Sequence, residues 1–112
     1  MSIRRVYDPP ASADGRRVLV DRVWPRGVRK DALELDEWLK DVAPSTQLRK
    51  WYAHDPDRFD EFTSRYREEL SGGDAAAALA ELRSVTGPLT LLTATKDLDL
   101  SHATVLRDLL AE

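Results

Sequence analysis

Two short segments of the chain hold the residue types that bind and protonate small anions. The first is Asp21-Arg22-Val23-Trp24-Pro25-Arg26-Gly27, and the second runs from Thr93 to His102. Guanidinium and ammonium groups bind phosphates or carboxylates, an indole offers a stacking face, and a carboxyl group with an imidazole can transfer protons. The sequence therefore predicts a site in which Asp97 and His102 are the candidate acid/base pair. The candidate ligand-binding residues are Arg22, Trp24, Arg26, Lys96 and Ser101.

Both segments follow predicted strands, at residues 17–23 and 89–95. The continuous apolar run Val18-Leu19-Val20 is typical of a strand buried on both faces, and residues 89–95 are similarly rich in strand-forming residues. If these strands are parallel, both end at one edge of a sheet, where ligands bind in open α/β folds. A helix predicted to start near Ser101 would add free backbone amides at that edge.

Helical periodicity dominates the rest of the chain. An apolar stripe with i, i+3, i+4, i+7 spacing predicts a helix from Leu35 to Val42, which ends before Pro44. A short strand-forming run at residues 1–8 has a direction that the sequence leaves open. This order predicts a single α/β domain over residues 1–112, with a small, mostly parallel three-stranded sheet covered by about five helices. The other four helices are predicted to begin at the capping residues Ser45, Asp55, Asp74 and either Asp99 or Ser101.

The stretch from Arg49 to Pro56 interleaves basic and aromatic residues. Such a pattern can bind nucleic acid through stacking and phosphate contacts. Its spacing is helical, however, so Trp51 and Tyr52 are predicted to be core residues. His54 is predicted to lie where one helix ends and the next begins.

The net charge of −3 conceals an uneven distribution. Residues 1–30 contain eight basic and three acidic residues, whereas residues 31–112 contain nine basic and 17 acidic ones. An acidic chain is a poor general binder of nucleic acid, because neutralising phosphates requires positive surface. The pattern favours a local anion pocket over a nucleic-acid groove.

The chain has no cysteine and only two histidines, His54 and His102. Disulfides, thiolate chemistry and cysteine-bound metals are thereby excluded, and no common nucleotide-binding or hydrolase motif is present. We therefore predict no metal and no cofactor. No apolar run approaches the length of a membrane span and no signal peptide is recognisable, so we expect a cytoplasmic protein with no membrane partner.

The same residues admit other interpretations. Arg22 and Arg26 would form a purely structural ion-pair network if they pair with nearby aspartates. The protein would then be a non-catalytic protein–protein interaction module. A third hypothesis, a nucleic-acid-binding regulator, would use the basic residues that flank the first strands: Arg4, Arg5, Arg16 and Arg17. The sequence leaves open whether the protein is an enzyme, which ligand it takes and in what oligomeric state it works.

A string of short motifs extends over nearly the whole chain, among them Arg5–Pro10, Val20–Gly27, His54-Asp55-Pro56 and Ala94–Asp97. In these motifs the chain resembles the short bacterial branch of the family called domain of unknown function 488. The resemblance implies a small cytosolic bacterial protein whose family has no established activity. Longer relatives often carry a Cys-x-Glu element where this chain has Thr93 and Thr95. Thiol chemistry therefore does not transfer to this chain, which leaves binding or acid/base chemistry.

Overall fold

Four parallel strands form the centre of the protein. The computed structural model describes residues 1–112, and its sheet has the order β1-β4-β2-β3 with every neighbouring pair parallel. This architecture confirms the predicted α/β class, and it brings the carboxyl ends of the two central strands to the same edge. The strands are β1 (Ser2–Arg5), β2 (Arg16–Leu19), β3 (Glu37–Trp38) and β4 (Leu89–Thr93).

Four α-helices complete the fold, rather than the predicted five. Ser45 caps α1 as predicted, since its hydroxyl oxygen accepts a hydrogen bond from the amide of Leu48 at 3.1 Å. α3 begins two residues earlier than predicted, so Gly72 is its capping residue and Asp74 lies in its first turn. No helix is long and apolar enough to cross a membrane. The helices are α1 (Thr46–Tyr52), α2 (Phe59–Glu69), α3 (Gly73–Arg83) and α4 (His102–Leu110), and short 3-10 helices lie at Ser12–Asp14, Lys40–Val42, Pro56–Arg58 and Leu98–Leu100.

The helix predicted from Leu35 to Val42 is absent, and its place is taken by β3 and a 3-10 turn. Hydrogen bonds from Asp36 N to Arg17 O (2.8 Å) and from Leu39 N to Leu19 O (2.9 Å) attach this segment to β2. Its apolar residues serve two cores, since Leu35 and Trp38 contact one cluster and Leu39 and Val42 belong to the other. Pairing with β2 therefore overrides the helical spacing and adds a fourth strand to the sheet.

The two faces of the sheet are covered differently. Along β2, Val18 and Val20 point into a large core to which all four helices contribute, whereas Leu19 points into a smaller cluster with Val6 and Leu92. This alternation follows from the two-residue period of a strand. The smaller cluster is covered by loop residues around Trp24 rather than by a helix. Helices therefore protect one face, and the loop that follows β2 protects the other.

The connection from β1 to β2 passes over β4, which lies between them. Asp14 supports this crossing, because its carboxylate accepts a hydrogen bond from Ala11 N at 3.0 Å and its carbonyl accepts one from the Thr90 hydroxyl at 2.8 Å. Gly15 follows with a φ of +66°, and a Cβ there would lie 2.3 Å from the carbonyl oxygen of Pro88. The tight passage explains how so short a link can join parallel strands.

Gly15→Ala should lower the free energy of unfolding by about 4 kcal/mol. About 2 kcal/mol of strain at a backbone conformation that only glycine readily adopts (φ 66°, ψ −135°) adds to a steric clash of about 2 kcal/mol. Gly27→Ala is the matched control, because its φ is +78° but no atom lies within 4 Å of the position that a Cβ would take there. It should cost only about 1 kcal/mol. Urea denaturation of both variants measures the difference, and equal losses would contradict the close approach to Pro88.

Candidate functional site

A cavity of about 580 Å³ opens at the ends of β2 and β4. The segment after β2 forms one side of it, Ala94 and Thr95 after β4 form another, and Ser101 with His102 at the start of α4 lies beside them. The last turn of α1 closes the remaining side. The parallel order of β2 and β4 is what places these segments together.

Four cationic side chains line the cavity without a carboxylate partner. They are Arg22, Arg26, Arg49 and Lys50, and the only acidic side chain among the lining residues is Asp21. None of the four takes part in an ion pair, whereas most arginines elsewhere in the chain do. Those paired arginines are Arg4, Arg16, Arg17, Arg29, Arg58, Arg65, Arg67 and Arg107.

Backbone carbonyls hold the guanidinium of Arg22. Its Nε donates to the carbonyl of Pro44 at 3.2 Å, and its Nη2 donates to that of Ala43 at 3.0 Å. The nearby carboxylate of Glu69 is engaged elsewhere, since it accepts hydrogen bonds from the amide and hydroxyl of Ser45. The alternative of an ion pair between Arg22 and an aspartate is therefore wrong. Arg22 is a fixed cation whose other N–H groups have no protein partner.

Asp21 joins the ends of the two central strands. One carboxylate oxygen accepts a hydrogen bond from the Thr93 hydroxyl at 2.7 Å, and the other accepts one from the amide of Ala94 at 2.8 Å. These bonds replace the strand ladder, and they explain why the strands end at Leu19 and Thr93 rather than at residues 23 and 95 as predicted. His102 completes the arrangement, with its Nε2 at 3.2 Å from the same oxygen that Thr93 contacts.

The surroundings of Asp21 keep it ionised. Burial by itself would raise the pKa of this carboxyl, but hydrogen bonds and charge from His102, with hydrogen bonds from Ala94 and Thr93, outweigh burial and lower it. Tyr66 contacts the His102 ring edge-on, and burial raises its pKa well above the ordinary value, so it stays a neutral phenol. Asp21 is thus an anion at neutral pH, in a cavity otherwise lined by cations.

The contacts of His102 determine its tautomer. Nε2 lies 3.0 Å from the carbonyl oxygen of Val20 and 3.2 Å from Asp21, and both of these are acceptors. Nε2 must therefore carry a hydrogen, which leaves Nδ1 as the ring nitrogen that does not contact Asp21. Nδ1 makes no hydrogen bond within the protein, and every fully buried side-chain nitrogen or oxygen has a partner. Nδ1 is consequently accessible, and His102 lines the cavity.

The structure brings together five of the seven residues predicted for the site. Arg22, Trp24, Arg26, Ser101 and His102 all line the cavity, although Trp24 serves as a wall: its indole donates to the carbonyl of Val28 at 2.7 Å and packs edge-on against Trp38. The Ser101 hydroxyl donates to the carbonyl of Leu98.

Lys96 and Asp97 lie outside this group. Both are exposed and neither lines the cavity. The side chain of Asp97 makes no hydrogen bond, and the carboxylate next to His102 belongs to Asp21. The predicted pairing of Asp97 with His102 is therefore replaced by a pairing of Asp21 with His102.

Sequence reasoning gave no place in the site to Arg49, Lys50 and His54. They lie at the end of α1, where Ala53 (φ 49°) and His54 (φ 56°) take left-handed backbone conformations and turn the chain towards the next helix. The sequence feature that could have identified them is the alternation of basic and aromatic residues from Arg49 to Pro56. Of the two aromatic residues predicted for the core, Tyr52 is buried and Trp51 is partly buried against the core, and the basic residues beside them line the cavity.

The basic residues around the first strands are engaged within the protein. Arg4 and Arg17 pair with Asp14, and Arg16 pairs with Glu37 at 3.1 Å. Arg5 donates to the carbonyls of Ala94 and Thr95. The surface that a nucleic-acid-binding regulator would use is thus largely neutralised, and its Arg5 supports the rim of the cavity instead.

Comparison with known proteins assigns the chain to a family. The family described as "Inactive DUF488-N3 subclade" matches residues 1–112. The chain belongs to the DUF488 family. An uncharacterised protein of Mycobacterium tuberculosis is 56% identical over 110 residues, which cover 96% of this chain and 91% of that protein. The uncharacterised protein YeaO of Escherichia coli K12 is 42% identical over 105 residues, covering 94% and 91%. No solved structure matches.

This DUF488 chain uses Thr93 and Thr95 structurally. The Thr93 side chain is fully buried, and its hydroxyl donates to Asp21 and lies 3.1 Å from the hydroxyl of Thr95. Because the Thr93 side chain is fully buried, its hydroxyl cannot reach a ligand in the cavity. The pair thus serves to fix Asp21 and the exit of β4.

Asp21→Asn should lower the free energy of unfolding by about 2 kcal/mol at pH 7, because one donor from Ala94, Thr93 or His102 then faces an NH₂ group. Since folding lowers the pKa of Asp21 below its ordinary value of 3.8, the stability it contributes is present above that pH and is lost as the pH falls through the folded-state pKa. Urea denaturation between pH 7 and pH 3 should show the gap between variant and parent closing only below about pH 4.

Asp99→Asn is the control, because Asp99 is exposed and its side chain makes no ion pair. Its stability should follow that of the parent protein at each pH. A gap for Asp21→Asn that stays constant to pH 3 would contradict the role assigned to its charge.

Proposed function

We propose that this protein is a non-catalytic binder of a small, multiply charged anion, which it holds in the cavity at the ends of β2 and β4. The observation that carries the proposal is the set of four cations with no carboxylate partner: Arg22, Arg26, Arg49 and Lys50. Guanidinium groups match phosphate and carboxylate oxygens in two-point hydrogen bonds, so a phosphorylated ligand suits this lining.

Electrostatics support binding at this position. The cations surround one concave space, with Arg22 and Arg49 half-buried and Arg26 and Lys50 exposed, so their positive fields add there. Asp21 offsets only part of that charge, because its oxygens already accept hydrogen bonds from Thr93, Ala94 and His102. An anion in the cavity would relieve the repulsion and supply acceptors for the free N–H groups of Arg22.

Three observations favour binding over catalysis. The Thr93 hydroxyl, at the position where longer relatives often have a thiol, is buried and committed to Asp21. Asp97, the predicted acid/base partner of His102, is exposed and outside the lining. The matching subclade is itself described as inactive. In this proposal His102 positions Asp21 through its Nε2.

Arg49→Gln should weaken the binding of pyrophosphate by about tenfold, because it removes one charge-assisted hydrogen bond worth about 1.5 kcal/mol. Arg49 is the best choice for substitution, since its side chain makes no hydrogen bond or ion pair and its loss should leave the fold intact. Isothermal titration calorimetry with pyrophosphate and inorganic phosphate gives the dissociation constants.

Arg83→Gln is the matched control. Arg83 also lacks an ion pair, but it is exposed on α3 and outside the cavity, so it should leave the affinity unchanged within about twofold. Lys96→Gln should behave in the same way, and a loss as large as that of Arg49→Gln would restore Lys96 to the site. If no anion binds to the folded parent protein, the proposal fails and the protein–protein interaction module becomes the better hypothesis.

A further inference from the structure

The cavity contains more apolar surface than an inorganic anion would contact. Resting on the proposed function, we infer that the ligand is a ring-bearing phosphate ester of the nucleotide type, with its phosphates at the cations and its ring against an apolar wall. Volume gives a first indication, because about 580 Å³ lies within the range of roughly 300–1,000 Å³ typical of sites for small organic ligands. A phosphate group alone would leave most of that space to water.

The apolar wall is rigid. The Tyr52 ring stacks on Phe62 at 4.2 Å between centroids, and its hydroxyl donates to the carbonyl of Leu100 at 2.7 Å. These three residues line the cavity together with Ala43 and Pro44, whose carbonyls hold Arg22. Ala43 and Pro44 thus belong to the wall and also hold Arg22, so a ligand bound to Arg22 lies next to the wall. The wall residues are packed into the protein, with Tyr52 4% and Phe62 1% exposed, so the wall offers a ring a firm contact of small area.

Val23 adds a second, independent observation. It is 62% exposed, which makes it the most exposed large apolar side chain in the protein, and it lines the cavity. Its neighbours Arg22 and Trp24 line the same space. An exposed valine among cations gains nothing from a bare phosphate, but a ring lying over it would remove its surface from water. The arrangement is therefore that of a site for an anion with an apolar body.

The charge of the lining fits such an ester. Four cations and one ionised aspartate leave an excess of positive charge, and a phosphate monoester carries about −1.5 to −2 at pH 7. A nucleoside diphosphate therefore matches both the charge and the apolar wall. Adenosine 5′-diphosphate is a suitable probe, with pyrophosphate and adenosine as its two halves.

The test compares these three compounds by calorimetry on the parent protein and on Val23→Ser. We expect adenosine 5′-diphosphate to bind at least tenfold more tightly than pyrophosphate, and adenosine alone to bind weakly. Val23→Ser should weaken the diphosphate by about fivefold and leave pyrophosphate unchanged, because the substitution removes apolar contact and no charge. Pyrophosphate thus serves as the control for an intact fold.

The outcomes separate this inference from the proposed function. If pyrophosphate binds as tightly as adenosine 5′-diphosphate and both depend on Arg49, the anion site stands and the nucleotide-type ligand is rejected. If Val23→Ser weakens both compounds equally, Val23 does not contact a ring and the inference is likewise rejected. If neither compound binds, both proposals fail.

Discussion

A single carboxylate, that of Asp21, links the ends of the two central strands to the first residue of α4. It accepts hydrogen bonds from the hydroxyl of Thr93, the amide of Ala94 and the ring of His102. Without it these donors would compete for water inside the cavity, and the loops that carry the cations would lose their common support. The ends of β2 and β4 and the start of α4 therefore depend on a residue whose own role is to accept hydrogen bonds.

The sequence predicted the central strands because their signal is local. Val18-Leu19-Val20 and the run after Leu89 are apolar without interruption, as buried parallel strands require. β3 gave no such signal, since a two-residue strand has no period of its own and the spacing from Leu35 to Val42 fits a helix equally well. Only the hydrogen bonds of this segment with β2 decide its conformation, and those depend on contacts distant in sequence.

The residues of the site that follow the central strands were likewise predictable from a local signal, whereas those on α1 were not. Arg22, Arg26 and His102 follow the strand ends, so the parallel order of the strands brings them to one edge. The same reasoning placed Lys96 and Asp97 there as well, and strand order alone does not show that their side chains lie outside the cavity. Arg49 and Lys50 reach the cavity on α1, whose position depends on the packing of Tyr52 against Phe62 and on the capping of α1 by Ser45. Periodicity identified Tyr52 as a core residue. It carries no information on whether the basic side chains beside it face the cavity or another part of the surface.

The distribution of charge is the feature of this acidic protein that packing alone does not explain. Acidic residues outnumber basic ones, 20 to 17, and eight arginines outside the cavity have found carboxylate partners. Four cations nevertheless share a concavity with one aspartate that is already bonded to three groups. Like charges that surround one concave space create a positive field that attracts a counter-charge. A group of cations that nearby carboxylates do not neutralise is typical of an anion-binding site, and here it lies beside a rigid apolar wall.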